Sequence, residues 1–427
     1  MKTLKVGMLG CGNVGSQIAR LLVANKADLA SRSGAQLELV KVAVKDLKIK
    51  RDGISNALLT DDAASIVNDP EIDLIIEVIG GISPAKELIL NSFKNGKSVV
   101  TANKALLAQE GAALYQAASE ANVDLYYEAA VAGAIPILRP LRESLVGDHV
   151  KRIMGIVNGT TNYILTKMDE SGTAFEDALK QAQLLGFAEA NPTADVEGID
   201  ASDKAAILAS LAFHSRVTSK DVYREGITKI TATDVKVAKA MDLVIKLLAI
   251  TELTNSGEIS VRVHPALISR THPLASVRES YNAVFVEAES AGQMMFYGKG
   301  AGGEPTASAV LGDLVAIARH KVAGGIGPKE SDYASLKIAP IGETKTRYLI
   351  RLNVADKPGV LESVAHVFAT QSVSIQTVRQ TGAGDRAELI IMTHTSNESA
   401  LSATVKELGN LPVVTDVASV LRVEGAI

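Results

Sequence analysis

The chain has 427 residues, enough for two or three domains, each with its own core. Hydrophobic residues make up 47% and charged residues 22%, an ordinary balance for a globular protein, and the net charge of −4 with no dense basic stripe argues against a general nucleic-acid surface. No apolar run reaches the roughly 18 residues needed to span a membrane, and the seven histidines are scattered without zinc-ligand spacing. The single cysteine, Cys11, cannot form an intrachain disulfide and fits a reducing cytoplasm.

The N-terminus enters directly into a strand, residues 4–10, rather than a signal peptide. Then come Gly10-Cys11-Gly12-Asn13-Val14-Gly15 and a helix expected over residues 16–30. In such a turn the first glycine bends sharply, the second lets a pyrophosphate approach the backbone, and the third packs helix against strand. These flanks favour dinucleotide binding over a chance glycine turn. Apolar runs at 37–44, 73–79, 98–101 and 123–127, separated by helical stretches, continue the pattern of a parallel sheet. Lys45 and Asp46 follow the second run, where the adenosine ribose usually lies; Lys45, with Lys48, Lys50 and Arg51, leans to NADP, while Asp46 keeps NAD open. A solvated charged loop is the plain alternative. Thr101-Ala102-Asn103-Lys104 ends the fourth expected strand and opens a helix, which places Lys104 at a carboxyl-end ligand crevice.

From Glu128 the composition shifts to small residues, Glu128-Ala129-Ala130-Val131-Ala132-Gly133-Ala134-Ile135, followed by an apolar strand at 153–158 and Gly159-Thr160-Thr161-Asn162-Tyr163. The block from Gly186 through Glu189, Asp195, Glu197, Asp200 and Asp203 to Lys204 sets five carboxylates around one lysine ahead of an apolar helical run. Asp200 and Lys204, four apart, share a helix face. Such a pair suits a group that grips an ammonium and moves a proton; an acidic helix start with one ion pair is the bland alternative. A second glycine loop, 297–303, precedes a helix expected at 306–320, with Pro305 in its first turn.

In order and spacing these segments resemble homoserine dehydrogenases of the longer, ACT-containing type over essentially the whole chain. The resemblance implies hydride exchange between NAD(P)H and L-aspartate 4-semialdehyde, giving L-homoserine on the route to threonine and methionine. Lys204 resembles the family's acid–base lysine and Lys104 its second site lysine. Glu189, Asp200 and Gly186 match substrate contacts. Gly10, Gly12, Asn13, Val14, Gly15, Lys45, Thr101, Lys104 and Gly303 fall on the cofactor side. Glu128, Val131, Gly133 and Ile135 match a loop for a monovalent cation, Na or K. Asp195, Glu197 and Asp203 receive no direct role and are expected behind the site or at the surface.

Residues 321–345 read as a linker. The remainder reads β-α-β-β-α-β, a ferredoxin-like order, with strands at 348–354, 373–379, 387–393 and 413–423 and helices at 360–370 and 398–408. Asp356-Lys357-Pro358-Gly359 resembles the ligand turn of ACT domains, with Ile375 and Gln376 close to it, and implies L-threonine as an inhibitory effector. A dimerisation module without a ligand remains the alternative. The expected architecture is α/β throughout: a Rossmann-type domain at 1–130 with helix 305–320 packing back, a mixed α/β substrate and dimerisation domain at 131–304, and an ACT domain at 346–427. A homodimer or homotetramer is expected. Two other readings stay open, an ACT-linked dehydrogenase of a 2-hydroxy acid and a threonine sensor with an inactive dehydrogenase body.

Overall fold

The computed structural model describes residues 1–51, 53–330, 333–383 and 386–425. Residues 331–332 of the expected linker, and 384–385 and 426–427 of the expected ACT domain, lie outside them. Two compact units divide the chain: Met1–Gly159, Ile199–Val222 and Ser280–Leu336 form one, and Thr160–Gly198, Tyr223–Glu279 and Lys337–Ile427 the other.

The first unit is built on a six-stranded parallel sheet. Its central strand, Lys2–Leu9, lies between Ala35–Ala43 and Leu74–Glu77; Leu59–Thr60 closes one edge, and Ser98–Thr101 and Leu125–Tyr126 the other. Strand order reverses between Lys2–Leu9 and Leu74–Glu77, so a crevice opens beyond their carboxyl ends, where such sheets take ligands. The two-residue strand Leu59–Thr60 is too short to leave a periodic signal in sequence. The helix expected at 16–30 is two helices, Asn13–Ala24 and Lys26–Ser33, broken where the Asn25 amide closes the first helix on Leu21 O and Val23 O. Glycine ends the second helix in the left-handed conformation at Gly34.

A late segment completes this core. The helix Gly303–Ala323 is longer at both ends than residues 306–320. Ala307, Val310, Leu314 and Ile317, spaced three or four apart, pack into one cluster with Leu4, Val6 and Met8 of the central strand. The unit also contains an antiparallel set, Val150–Ile156, Tyr281–Ala288 and Gly292–Lys299.

The second unit holds a long hairpin, Leu243–Leu253 with Ile259–Ser269, that the sequence pattern did not announce. Both faces are buried along most of its length, so it lacks the polar–apolar alternation that marks a half-exposed strand. The C-terminal region is ferredoxin-like, with strand order Val414–Val423, Lys345–Ala355, Arg386–Thr393, Ile375–Ala383. Helices Val360–Thr370 and Glu398–Leu408 cover its core of Tyr348, Ile350, Leu352, Val364, Phe368, Leu389 and Leu401. Part of the expected linker is tied down: Ile259 N–H donates to Lys337 O and Ala339 N–H to Ile259 O, both at 2.8 Å. Among the described residues no helix is long and apolar enough to cross a membrane.

Because Leu314 is wholly buried against the parallel sheet, Leu314→Ala should destabilise the first unit by about 2–5 kcal/mol, read as a lower urea midpoint.

Candidate active site

The glycine turn fits a dinucleotide. Gly10 adopts φ +97°, and a Cβ there would meet Val78 O at 2.8 Å, so only glycine suits the bend. A Cβ on Gly15 would meet Gly10 O at 2.5 Å, the close packing of helix on strand. Around Gly12 a Cβ would meet nothing within 4 Å, which leaves the backbone open to an approaching phosphate. The helix beginning at Asn13 has no side-chain cap and no acid in its first turn, so its N–H groups face the turn uncompensated. Gly303 closes on the same place: its absent side chain would lie 2.6 Å from Asn13 Oδ1. Arg51 reaches back so that its Nε donates to Cys11 O at 3.2 Å, while Lys45 and Asp46 are exposed.

The carboxyl ends of the next two strands are organised by a residue that sequence reasoning passed over. Glu77 is fully buried, accepting N–H bonds from Ile79 and Gly80 and a 2.5 Å bond from the Thr101 hydroxyl. Its only sequence signal was an acid at the end of an apolar run. Asn103 caps the following helix through Leu106 N–H and also donates to Gly81 O at 2.6 Å. Lys104, the first residue of the helix Lys104–Glu120, is thereby fixed at its base.

Asp200 is the centre of the polar cluster. It sits in the first turn of the helix Ile199–Ala212, and its side chain, like that of Lys204, is buried. Lys204 Nζ donates to Asp200 Oδ2 at 2.8 Å and to Val157 O at 2.6 Å, and Asn158 Nδ2 donates to the same Oδ2 at 2.9 Å. Lys104 makes an ion pair with Asp200 Oδ1, its own side chain staying 42% exposed. Burial drives the Asp200 pKa upward, but the charges and hydrogen bonds of the two lysines overcome it and hold the carboxyl well below the usual range. Asp203 is also buried; burial and then the Asp200 charge push it up to about 6, against the pull of Lys104, Ser219 and Lys204. In the sequence Asn158 stands only as part of a turn motif, because nothing there shows what its amide faces.

Glu189 and Gly186 belong to the other unit. Glu189 is exposed and its carbonyl accepts from Gln183 Nε2 at 3.1 Å; Gly186 takes φ +75°. Beside them Thr160 Oγ1 donates to Phe187 O at 2.5 Å, and Tyr163 packs on the Phe187 ring. Asp195 and Glu197 are half-buried.

In the first unit the Glu128 carboxylate accepts three backbone N–H bonds. Oε1 accepts from Ile137 and Leu138 N–H and Oε2 from Arg139 N–H, at 2.6–2.8 Å. Glu128 N–H donates to Asp313, whose carboxyl burial and the Glu128 charge push up to about 7 despite Arg139. Glu128, Ala129, Ala130, Val131 and Ala132 of the same loop are buried. No group of three or more His, Cys, Asp or Glu among the described residues could hold a metal ion. In the C-terminal region Asp356 and Gly359 flank the start of a helix, Gly359 at φ +86°, and Gln380 Nε2 reaches Asp356 at 3.3 Å. Ile375 is half-buried and Gln376 exposed on the edge strand.

Three family models match: homoserine dehydrogenase over residues 136–315, the homoserine dehydrogenase NAD-binding domain over 10–128, and the ACT domain over 348–413. The homoserine dehydrogenase of Mycobacterium tuberculosis is 54% identical over 434 aligned residues, covering 99% of this chain and 98% of its own. The crystal structure of a homoserine dehydrogenase from Thiobacillus denitrificans superposes with a TM-score of 0.94 at 39% identity, covering 99% of both chains. A hyperthermophilic archaeal homoserine dehydrogenase in complex with NADPH matches at a TM-score of 0.65 and 27% identity, covering 77% of this chain and all of its own.

Gly303→Ala should weaken nicotinamide-dinucleotide binding by about 1–3 kcal/mol, the range for forcing a methyl into a packed place, read by fluorescence titration. Asp203 gives a pH test. An acid whose folded pKa is raised contributes stability below its unfolded value, and that contribution is lost as pH rises through about 6. Asp203→Asn should therefore melt higher than the parent at pH 8, by on the order of 1–3 kcal/mol, with the gap closing near pH 4.

Proposed function

The chain belongs to the homoserine dehydrogenase family of NAD(P)-dependent oxidoreductases, and on that premise we propose that Lys204 is the acid–base group for reversible reduction of L-aspartate 4-semialdehyde to L-homoserine. The observation that carries the assignment is the buried Lys204–Asp200 pair, with Val157 O and Asn158 completing its hydrogen bonds. Bound nicotinamide supplies the hydride in one direction and accepts it in the other. Lys204 gives a proton from Nζ to the aldehyde oxygen in reduction and takes it from the homoserine hydroxyl in oxidation. Asp200 fixes the direction of that amine and keeps the charge of its protonated form balanced in a dry place.

Lys104 offers a partly exposed positive charge for the substrate carboxylate, held in place by the free side of Asp200. Glu189, Asp200 and Gly186 are assigned to the substrate by the family motif, the carboxylates suiting its ammonium group. Gly10, Gly12, Asn13, Val14, Gly15, Thr101 and Gly303 are assigned to the cofactor. NADP is the preferred form on our reading, since Arg51 lies against the turn at Cys11 with Lys45 nearby, and the archaeal relative was solved with NADPH. A monovalent cation, Na or K, would be held by the carbonyls of residues 128, 131, 133 and 135. L-Threonine is the proposed effector of the ACT domain, taken by Asp356 and Gly359 with Ile375 and Gln376. The open edge of Ile375–Ala383 supports pairing of subunits into a homodimer or homotetramer in the cytoplasm.

Lys204→Ala should lower kcat by about 10²–10⁴-fold while the Kd for NADPH stays within about twofold, because the proton donor is lost and the glycine turn is not. Near-parental turnover would remove Lys204 from the mechanism. Initial rates with NADPH and NADH, with and without L-threonine, should show lower KM for NADPH and inhibition by threonine. Unchanged rates with threonine, together with a deletion of residues 346–427 that altered only oligomeric state, would leave the ACT domain as an assembly module.

A further inference from the structure

We propose that Arg422, a residue of the C-terminal ferredoxin-like sheet, is a positioning residue for the acidic segment 189–198 that the reaction uses. The guanidinium is buried and shared between the regulatory and catalytic parts of the second unit. On one side its Nε donates to Glu398 at 3.2 Å and its Nη2 at 2.5 Å, tying it to the start of the helix Glu398–Leu408. On the other, Nη1 donates to Glu225 Oε2 at 2.9 Å and Nη2 to the Tyr223 hydroxyl at 3.1 Å. Its plane lies between the rings of Tyr223 and Tyr348, 5.1 and 5.7 Å from their centroids. An arginine held on four sides has few alternative positions, so its partners are held as well.

Residues 223–228 then grip the acidic segment directly. A Cβ on Gly226 would lie 2.4 Å from Val196 O and 2.7 Å from Glu197 Cα, so the two backbones are in contact. Ile227 N–H donates to Val196 O at 2.8 Å, and the Thr228 hydroxyl to Glu197 Oε1 at 3.0 Å. Gly198 fits beneath Arg224 and Val263, each 3.3 Å from where its Cβ would be. Upstream, Asn191 Oδ1 accepts from the Thr193 hydroxyl at 2.7 Å and Gln183 Nε2 donates to Glu189 O at 3.1 Å, local bonds on the stretch between Gly198 and Glu189. A shift of the helix Glu398–Leu408 or of the strand Val414–Val423 moves Arg422, and through Glu225 and Gly226 it moves the segment that carries Glu189.

This inference rests on the assignment of Glu189 to the substrate, so Glu189→Gln is measured alongside. The full-length enzyme is compared with Arg422→Ala, Glu225→Gln and the double variant, reading KM for aspartate semialdehyde, kcat, Kd for NADPH and melting temperature. The expected result is a KM raised by about 3- to 30-fold in each single variant, with kcat and NADPH binding unchanged and the double variant no worse than the singles. Arg351→Ala, which removes a different buried pair with Asp234, should lower the melting temperature without moving KM. If Arg422→Ala does not fold, the milder Glu225→Gln decides alone. A KM moved by Glu189→Gln but not by Glu225→Gln overturns the positioning role, as does an additive double variant. An unmoved KM in Glu189→Gln overturns the substrate assignment and this inference with it.

Discussion

One buried carboxylate organises the polar cluster of the first unit. Asp200 accepts from Lys204 and Asn158 on one oxygen and pairs with Lys104 on the other, and these partners make such a charge tolerable in a dry interior. Each donor arrives from a separate place in the chain: the same helix, the end of the strand Val150–Ile156, and the start of the helix Lys104–Glu120. The fold's task in this unit is to bring these three ends to a single point. The glycine turn and the Gly303 loop meet at Asn13 in the same way, by removing side chains where two backbones converge.

How much of this was readable in advance depended on whether the signal was local. The glycine turn, the Asp200–Lys204 spacing and the helices Val360–Thr370 and Glu398–Leu408 rest on short-range patterns, and their positions were legible. Glu77, Asn158 and Asp313 were not, because each works through partners about 24 to 185 residues away, and an isolated acid or amide looks the same in either role. The hairpin Leu243–Leu253 with Ile259–Ser269 was missed for a different reason: burial on both faces erases the alternation by which strands are recognised. Asn25 interrupted a helix that apolar spacing alone would continue. The three backbone amides that Glu128 holds leave no trace in the sequence around it.

The C-terminal sheet shares a unit with residues 160–198 and 223–279. It places Arg351 on Asp234 at 2.6 Å and Arg422 on Glu225 at 2.9 Å, so its two long strands each send a cation into the rest of that unit. Buried pairs of this type add little net stability relative to apolar packing, yet removing one partner is expensive. They therefore make the C-terminal sheet costly to detach from the rest of its unit.

The strand Val414–Val423 pairs antiparallel with Lys345–Ala355 along most of its length and, at Arg422 and Val423, parallel with Ile259–Ser269. A stop within the C-terminal region, after Ala355 and before Val414, would therefore not trim a tail. It would strip hydrogen-bond partners from two apolar strands at once and hand the cell two sticky rims, each a template for a neighbouring molecule.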